Sequence, residues 1–293
     1  MGEKLVEGRI VKGIAGFYYV QDESGILECK ARGKFKKMGL VPMVGDRVLF
    51  SKQHAAIEDI LPRTSELVRP TVSNVDQAVI VFAVRFPDPN MVLLDKMTVL
   101  AVKEGLDVVL VFNKVDLDDA ESQLTQKLES IYGPTGFKVL TTCSVTGFQI
   151  EELKAMLKGK VSVFAGPSGV GKSSLLNAIE PGLALKTGAV SEKIQRGKHT
   201  TRHSELLELA SGGFVVDTPG FTSLELKDLE ADLLSSCFPD FEYYPGNCRF
   251  DDCLHMEEPD CRIREAVQAG KLSDSRYNSY VLILNEIRQY RRY

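Results

Sequence analysis

The chain has 293 residues, 44% of them apolar, and a formal net charge of −4. That length allows two or three domains. The longest apolar run, residues 78–84, is far too short to span a bilayer, and the start Met1-Gly2-Glu3-Lys4 carries no leader pattern, so a cytoplasmic protein without a membrane partner is expected.

The charge is uneven. Residues 1–70 hold 12 Lys and Arg against 9 Asp and Glu, net +3. The remainder is acidic, net −2 over 71–222 (15 against 17) and −5 over 223–293 (9 against 14). The basic front end reads as short strands with glycine bends, around residues 9–12, 17–20, 26–29, 47–50 and 56–60. Five such strands in 70 residues suit an all-β oligonucleotide-binding (OB) barrel. Residues 30–37 carry five basic side chains in eight, with Phe17, Tyr18, Tyr19 and Phe35 nearby. Charge interleaved with aromatic faces suits RNA backbone and stacked bases; a solvated loop beside core aromatics is the plainer alternative. Residues 62–70, bracketed by Pro62 and Pro70, read as a linker.

From residue 71 strands alternate with helices, the pattern of a parallel sheet with ligands at the strand ends. A buried strand over 76–84 precedes a helix over 91–104, and a second over 106–112 runs into Asn113-Lys114-Val115-Asp116. That tetrapeptide fits N-K-x-D. The Asp116 carboxylate can accept from guanine N1–H and the N2 amine, and the Lys114 stem can cover the base. Adenine lacks both donors. A helix over 120–132 and a strand over 137–141 lead to Cys143-Ser144, where related GTPases carry Ser-Ala against the guanine oxygen. An amphipathic helix follows over 150–158.

Only then does the strand over 161–165 deliver Gly166-Pro167-Ser168-Gly169-Val170-Gly171-Lys172-Ser173, with Ser174 next on the following helix. This is G-x-x-x-x-G-K-[ST]. Its glycines let backbone N–H groups cradle a polyphosphate at a helix N-terminus, Lys172 reaches the β- and γ-phosphates, and Ser173 sits on Mg²⁺. Residues 186–203 read as a switch loop in which Thr200 or Thr201 ligates Mg²⁺. Strands over 205–209 and 214–216 end in Asp217-Thr218-Pro219-Gly220, fitting D-x-x-G. Asp217 holds Mg²⁺ through water, and the Gly220 N–H meets the γ-phosphate. Phe221 stands where Ras-type enzymes place a water-orienting glutamine, so intrinsic hydrolysis is expected to be slow. His199 is the internal candidate to help. N-K-x-D precedes the phosphate loop, the reverse of the ordinary order, and a permuted domain accommodates this because domain termini lie close together.

The C-terminal part reads as a helix over 224–238, then Cys248, Cys253, His255 and Cys261, then a helix over 277–293. Three thiolates and one imidazole saturate a tetrahedral Zn²⁺ and make a closed structural site. The last helix carries Arg276, Arg288, Arg291 and Arg292 with Tyr277, Tyr280, Tyr290 and Tyr293, which suits either a second RNA contact or a solvated helix end.

Taken together, the chain resembles the RsgA (YjeQ/YloQ) family of circularly permuted GTPases that depend on the small ribosomal subunit. The residues that carry the likeness are Asn113 to Asp116, Gly166 to Ser174, residues 197–202, Asp217 to Gly220, and the four candidate zinc ligands. The resemblance implies an OB-fold (1–70), a central α/β P-loop GTPase in permuted order (71–222) and an α-helical zinc domain (223–293). It implies GTP hydrolysis to GDP and phosphate, Mg²⁺, and one structural Zn²⁺. It also implies late maturation of the small subunit, contact with its rRNA, stimulation by the subunit, and a catalytic role for His199. A monomer is expected. Two other readings remain: a nucleotide-gated RNA-binding regulator, which Phe221 favours, and an ATPase in nucleic-acid handling, against which Asn113 to Asp116 speak.

Overall fold

The computed structural model describes residues 4–68, 70–183, 185, 204–217, 226, 228–244 and 246–290, with Asp217 described by its backbone alone. Five strands open the chain: β1 (Val6–Ile14), β2 (Phe17–Asp22), β3 (Gly25–Ala31), β4 (Arg47–Ser51) and β5 (Ala56–Ile60). They pair in the order β1-β2-β3-β5-β4, and β4 returns to β1, which closes an OB-type barrel. Ile10, Val20, Cys29, Val48, Phe50 and Ile57 are its buried interior.

The basic segment over 30–37 differs from the expected loop. It ends β3 and forms a short helix, α1 (Gly33–Lys37). Phe35 turns inward and is buried, while Lys34, Lys36 and Lys37 stay exposed. Burial of one large apolar side chain outweighs display of its ring, so the stacking surface expected there lacks Phe35. The expected linker is also packed. β6 (Glu66–Val68) and β7 (Thr71–Ser73) form a hairpin with Leu67 and Val72 buried. Arg63 Nε and Nη2 donate to the Asp46 carboxylate at 2.7 and 2.9 Å, and the Ser73 hydroxyl donates to it at 2.6 Å. Asp46 is fully buried, and a buried carboxylate needs such donors.

The central sheet runs β10 (Lys138–Thr142), β9 (Asp107–Asn113), β8 (Gln77–Ala83), β11 (Val161–Ala165), β13 (Phe214–Asp217), β12 (Glu205–Glu208). All neighbours are parallel except β12 with β13. β8 is buried at every position, as a strand covered on both faces must be. Its alternate residues divide the core. Ile80 and Phe82 pack with Leu94 and Met97 of α2 (Met91–Lys103), whereas Val79 and Val81 pack with Leu153 of α4 (Ile150–Leu157) and Leu175 of α5 (Lys172–Ile179). The Asn90 side chain caps α2 by accepting from Leu93 N–H at 3.0 Å. The helix α3 (Leu124–Tyr132) starts later than expected, because Asp118 accepts from the Leu124 and Thr125 N–H groups at 3.1 and 2.8 Å. Burial pushes the Asp118 carboxyl up, but these bonds outweigh it and hold it well below the usual range. At the far edge β12 pairs with β1 at Glu205 and Lys12, so barrel and central sheet are continuous.

The helix expected over 224–238 is not present in the described residues. Residues 228–234 form turns, followed by 3₁₀ helices Ser235–Cys237 and Pro239–Tyr243. Pro239 disfavours helical geometry at Phe238, whose φ of −114° and ψ of 84° lie outside the helical region. Two helices follow, α6 (Arg262–Gln268) and α7 (Asp274–Tyr290). The apolar cluster of this region includes Val99 and Leu100 of α2 together with Phe238, Phe241, Tyr280, Ile283 and Ile287.

The expectation for the last helix changes most. Arg276 and Tyr280 are fully buried. The Arg276 guanidinium donates to Asp240 through Nε and Nη2 at 3.1 and 2.7 Å, and through Nη1 to Asp95 on α2. These side chains offer nothing to an RNA or to solvent.

Candidate functional site

The phosphate-loop motif spans the carboxyl end of β11 and the start of α5. Its glycines are required by close approach. A Cβ on Gly166 would lie 2.1 Å from the Val81 carbonyl oxygen, and one on Gly171 would lie 2.3 Å from Asn113 Nδ2. Lys172 Nζ donates to the carbonyls of Gly166 and Pro167 at 2.7 and 2.8 Å, which curls the side chain back over the loop. Burial lowers its pKa from the usual lysine value. Ser173 and Ser174 are half-buried in the first turn of α5.

The N-K-x-D motif lies against this loop. Asn113 is buried at the end of β9, where its Nδ2 donates to the Val170 carbonyl at 2.9 Å. Thr142 Oγ1 donates to its Oδ1 at 3.2 Å. Lys114 takes left-handed backbone geometry, φ 65°, and its Nζ donates to Gly169 O at 2.6 Å and to Phe86 O. Val115 and the exposed Asp116 start a 3₁₀ turn, Val115–Leu117. The buried Cys143 thiol donates to Asp116 Oδ1 at 3.0 Å and accepts from Thr146 N–H at 3.4 Å. Cys143 thus steers the carboxylate through its side chain; Ser144 beside it is half-exposed.

The reading from sequence did not single out Thr142 or Phe86. Strand register carries the signal for Thr142, since β10 pairs Thr142 directly beside Asn113 of β9. Phe86 has no such signal, because only the path of the chain after β8 brings its carbonyl to Lys114. His199, Thr200, Thr201, Gly220 and the Asp217 side chain lie outside the described residues. The Asp217 backbone ends β13 beside Glu205 of β12.

In the C-terminal region Cys248, Cys253, His255 and Cys261 converge, with their ligand atoms all within 4.8 Å of one another. His255 Nδ1 lies 3.6, 3.5 and 3.4 Å from the three sulfurs, and Cys248 and Cys261 Sγ are 4.0 Å apart. Zinc bonds of about 2.3 Å to sulfur and 2.0 Å to nitrogen imply tetrahedron edges of roughly 3.5–3.8 Å. The donor set and spacing therefore fit one zinc with no open position. Burial lowers the His255 pKa, which favours the neutral ring a metal needs. It also pushes the Cys253 thiol up to about 12 and raises the Cys261 thiol, so these two keep their protons unless a cation replaces them. Among the described residues, no helix is long and apolar enough to cross a membrane.

Two family models match the chain. One describes the RsgA N-terminal domain, over residues 7–57, and one the RsgA GTPase, over residues 60–227. A protein of Caldanaerobacter subterraneus subsp. tengcongensis is 50% identical over 97% of this chain and 96% of its own length. One from Alkaliphilus metalliredigens is 48% identical over 99% of this chain and 100% of its own. Both are named small ribosomal subunit biogenesis GTPase RsgA. The crystal structure of YjeQ from Thermotoga maritima superposes with a TM-score of 0.86 at 41% identity, covering 97% of this chain and 99% of that one. YloQ, described as a circularly permuted GTPase, superposes at 0.84 with 38% identity, covering 98% and 96%.

Proposed function

This chain belongs to the RsgA GTPase family, and from that premise we propose that it acts in late maturation of the small ribosomal subunit, hydrolysing GTP to GDP and phosphate when the subunit stimulates it. In this reading residues 1–70 hold ribosomal RNA, 71–222 bind and hydrolyse GTP, and 223–293 form a zinc domain. The protein works in the cytoplasm as a monomer.

The observation that carries the nucleotide site is the bond from Asn113 to the Val170 carbonyl. It ties a guanine-reading motif to a phosphate loop although 57 residues separate them. With GTP bound, the N–H groups of residues 168–174 surround the β-phosphate, and Lys172 exchanges its carbonyl partners for the β- and γ-oxygens. Asp116, oriented by Cys143, accepts from guanine N1–H and the N2 amine, while Ser144 lies beside the base. Ser173 and Asp217 hold Mg²⁺ with Thr200 or Thr201; the metal, when bound, offsets charge on the phosphate oxygens. The Gly220 N–H meets the γ-phosphate. Water attacks the γ-phosphorus, the bridging oxygen leaves with GDP, and His199 orients the water in place of the usual glutamine. Cys248, Cys253, His255 and Cys261 hold the structural zinc.

The test is GTP hydrolysis with and without small ribosomal subunits, with large subunits and bare RNA as controls. Strong stimulation by small subunits alone is expected, and Asp217→Ala should abolish it with the fold intact. Slow turnover unchanged by any partner would replace this reading with a nucleotide-gated RNA-binding module.

A further inference from the structure

The His255 backbone is an unusual place for a ligand. Its φ of 59° is left-handed, a geometry that costs energy for any residue with a Cβ and persists only where the surroundings hold it. Both peptide units flanking it are held. The carbonyl of the first, Leu254 O, accepts from the Tyr280 hydroxyl at 2.9 Å. The carbonyl of the second, His255 O, accepts from the Tyr277 hydroxyl at 2.7 Å. The N–H of that second unit, on Met256, donates to Glu258 Oε2 at 2.7 Å, and Leu254 N–H donates to Glu258 Oε1 at 3.0 Å. The two peptide planes set the direction of the His255 Cα–Cβ bond, and hence where Nδ1 points.

The helix that supplies the two hydroxyls is itself fixed. Arg276, the residue before Tyr277, is locked between Asp95 and Asp240. The Tyr280 ring packs against Phe241 and Phe238 at 5.0 and 5.3 Å between centroids. Phe241 in turn meets the His255 ring edge-on at 5.9 Å.

We propose that Tyr277 and Tyr280, assisted by Glu258, are positioning residues for the metal site: they hold His255 in its left-handed geometry so that its Nδ1 completes the ligand set. The inference rests on the reading that Cys248, Cys253, His255 and Cys261 hold zinc, and the two are tested separately. The zinc content of the purified full-length protein tests the reading, and one equivalent is expected.

The inference is tested by zinc release from full-length protein into excess chelator, followed with a chromogenic zinc indicator. Tyr277→Phe and Tyr280→Phe keep the rings and remove one hydroxyl each. Each should weaken zinc retention about tenfold, the lower end of what loss of an outer-shell partner costs. Tyr244→Phe is the control. Its hydroxyl donates at 2.9 Å to Lys271 O in the same region and to no peptide unit flanking His255, and its release should match wild type. Unchanged GDP affinity reports an intact fold. Should either Phe variant fail that check, Glu258→Gln carries the same expectation. Wild-type retention in the tyrosine and glutamate variants would overturn the proposal. So would equal weakening in Tyr244→Phe, which would mean general loosening.

Discussion

Two arginine–aspartate knots fasten segments at the two ends of the chain, and they are built differently. In the N-terminal knot one arginine meets one buried carboxylate. Asp46 accepts from Arg63, from the Ser73 hydroxyl and from the Met43 N–H, while Arg63 keeps 15% of its side chain exposed and also reaches Glu66. Its partners lie within 27 residues of Asp46. In the C-terminal knot one arginine serves two carboxylates with almost no exposure, and Asp95 is 181 residues from Arg276. Tyr132 adds a hydroxyl to Asp95 at 3.0 Å, and the guanidinium lies over the Phe238 ring at 4.5 Å. The first knot fastens a chain segment where it leaves the barrel; the second fastens α2 to a helix from the far end of the chain. A charge buried without water has no substitute partner, so the cost of losing one should follow depth rather than the number of bonds.

The largest effect is expected at Arg276. Arg276→Ala leaves Asp95 and Asp240 buried without their cation and should cost about 3–5 kcal/mol in denaturant unfolding. Arg276→Lys should recover only part of this, since an ammonium cannot present the fork that meets two carboxylates. A loss below about 1 kcal/mol would erase the contrast between the knots. Next is Asp46→Ala, expected to cost about 1–3 kcal/mol because the Ser73 and Met43 donors lose their acceptor while Arg63 can turn to Glu66 and water. A cost equal to that of Arg276→Ala would make bond number, not depth, the deciding quantity.

The smallest effect sharpens the comparison from the other side. Where β1 meets β12, the Lys12–Glu205 pair, 2.8 Å apart, has about a third of each side chain in water. Lys12→Ala should change stability by no more than about 0.5 kcal/mol. Salt at 1 M should remove even that difference while leaving the penalty of Arg276→Ala in place. A salt-sensitive Arg276 penalty would mean that water reaches the buried knot.

The knots also mark how far the sequence could be read. The phosphate loop, N-K-x-D and the three cysteines with His255 stand out because short spacings carry their chemistry, and the structure brings the first two into contact and the last four together. The barrel and the alternating sheet follow from strand periodicity and glycine bends. The last helix is where it was expected, but the burial of Arg276 and Tyr280 on it was not legible, for a physical reason. Arginine and tyrosine are what an RNA-binding or solvated surface would carry, and nothing local distinguishes that from Arg276 and Tyr280 in a core. Their partners, Asp95, Asp240 and the Leu254 carbonyl, are remote in sequence. Phe35 shows the same limit: its sequence allows a ring displayed among lysines or a core aromatic, and burial beside the barrel selects the second.

What the sequence determined by itself is the barrel strands, the alternating elements of the central sheet and the local motifs, because backbone preference and ligand spacing act over a few residues. What only the tertiary structure decided is which polar side chains are buried and which residues support the motifs from behind. Thr142 beneath Asn113, Cys143 against Asp116, and Tyr277 and Tyr280 behind His255 all depend on approach between distant segments. The free energy of a charge or hydroxyl is set by the partner it meets there, and composition carries no record of that meeting.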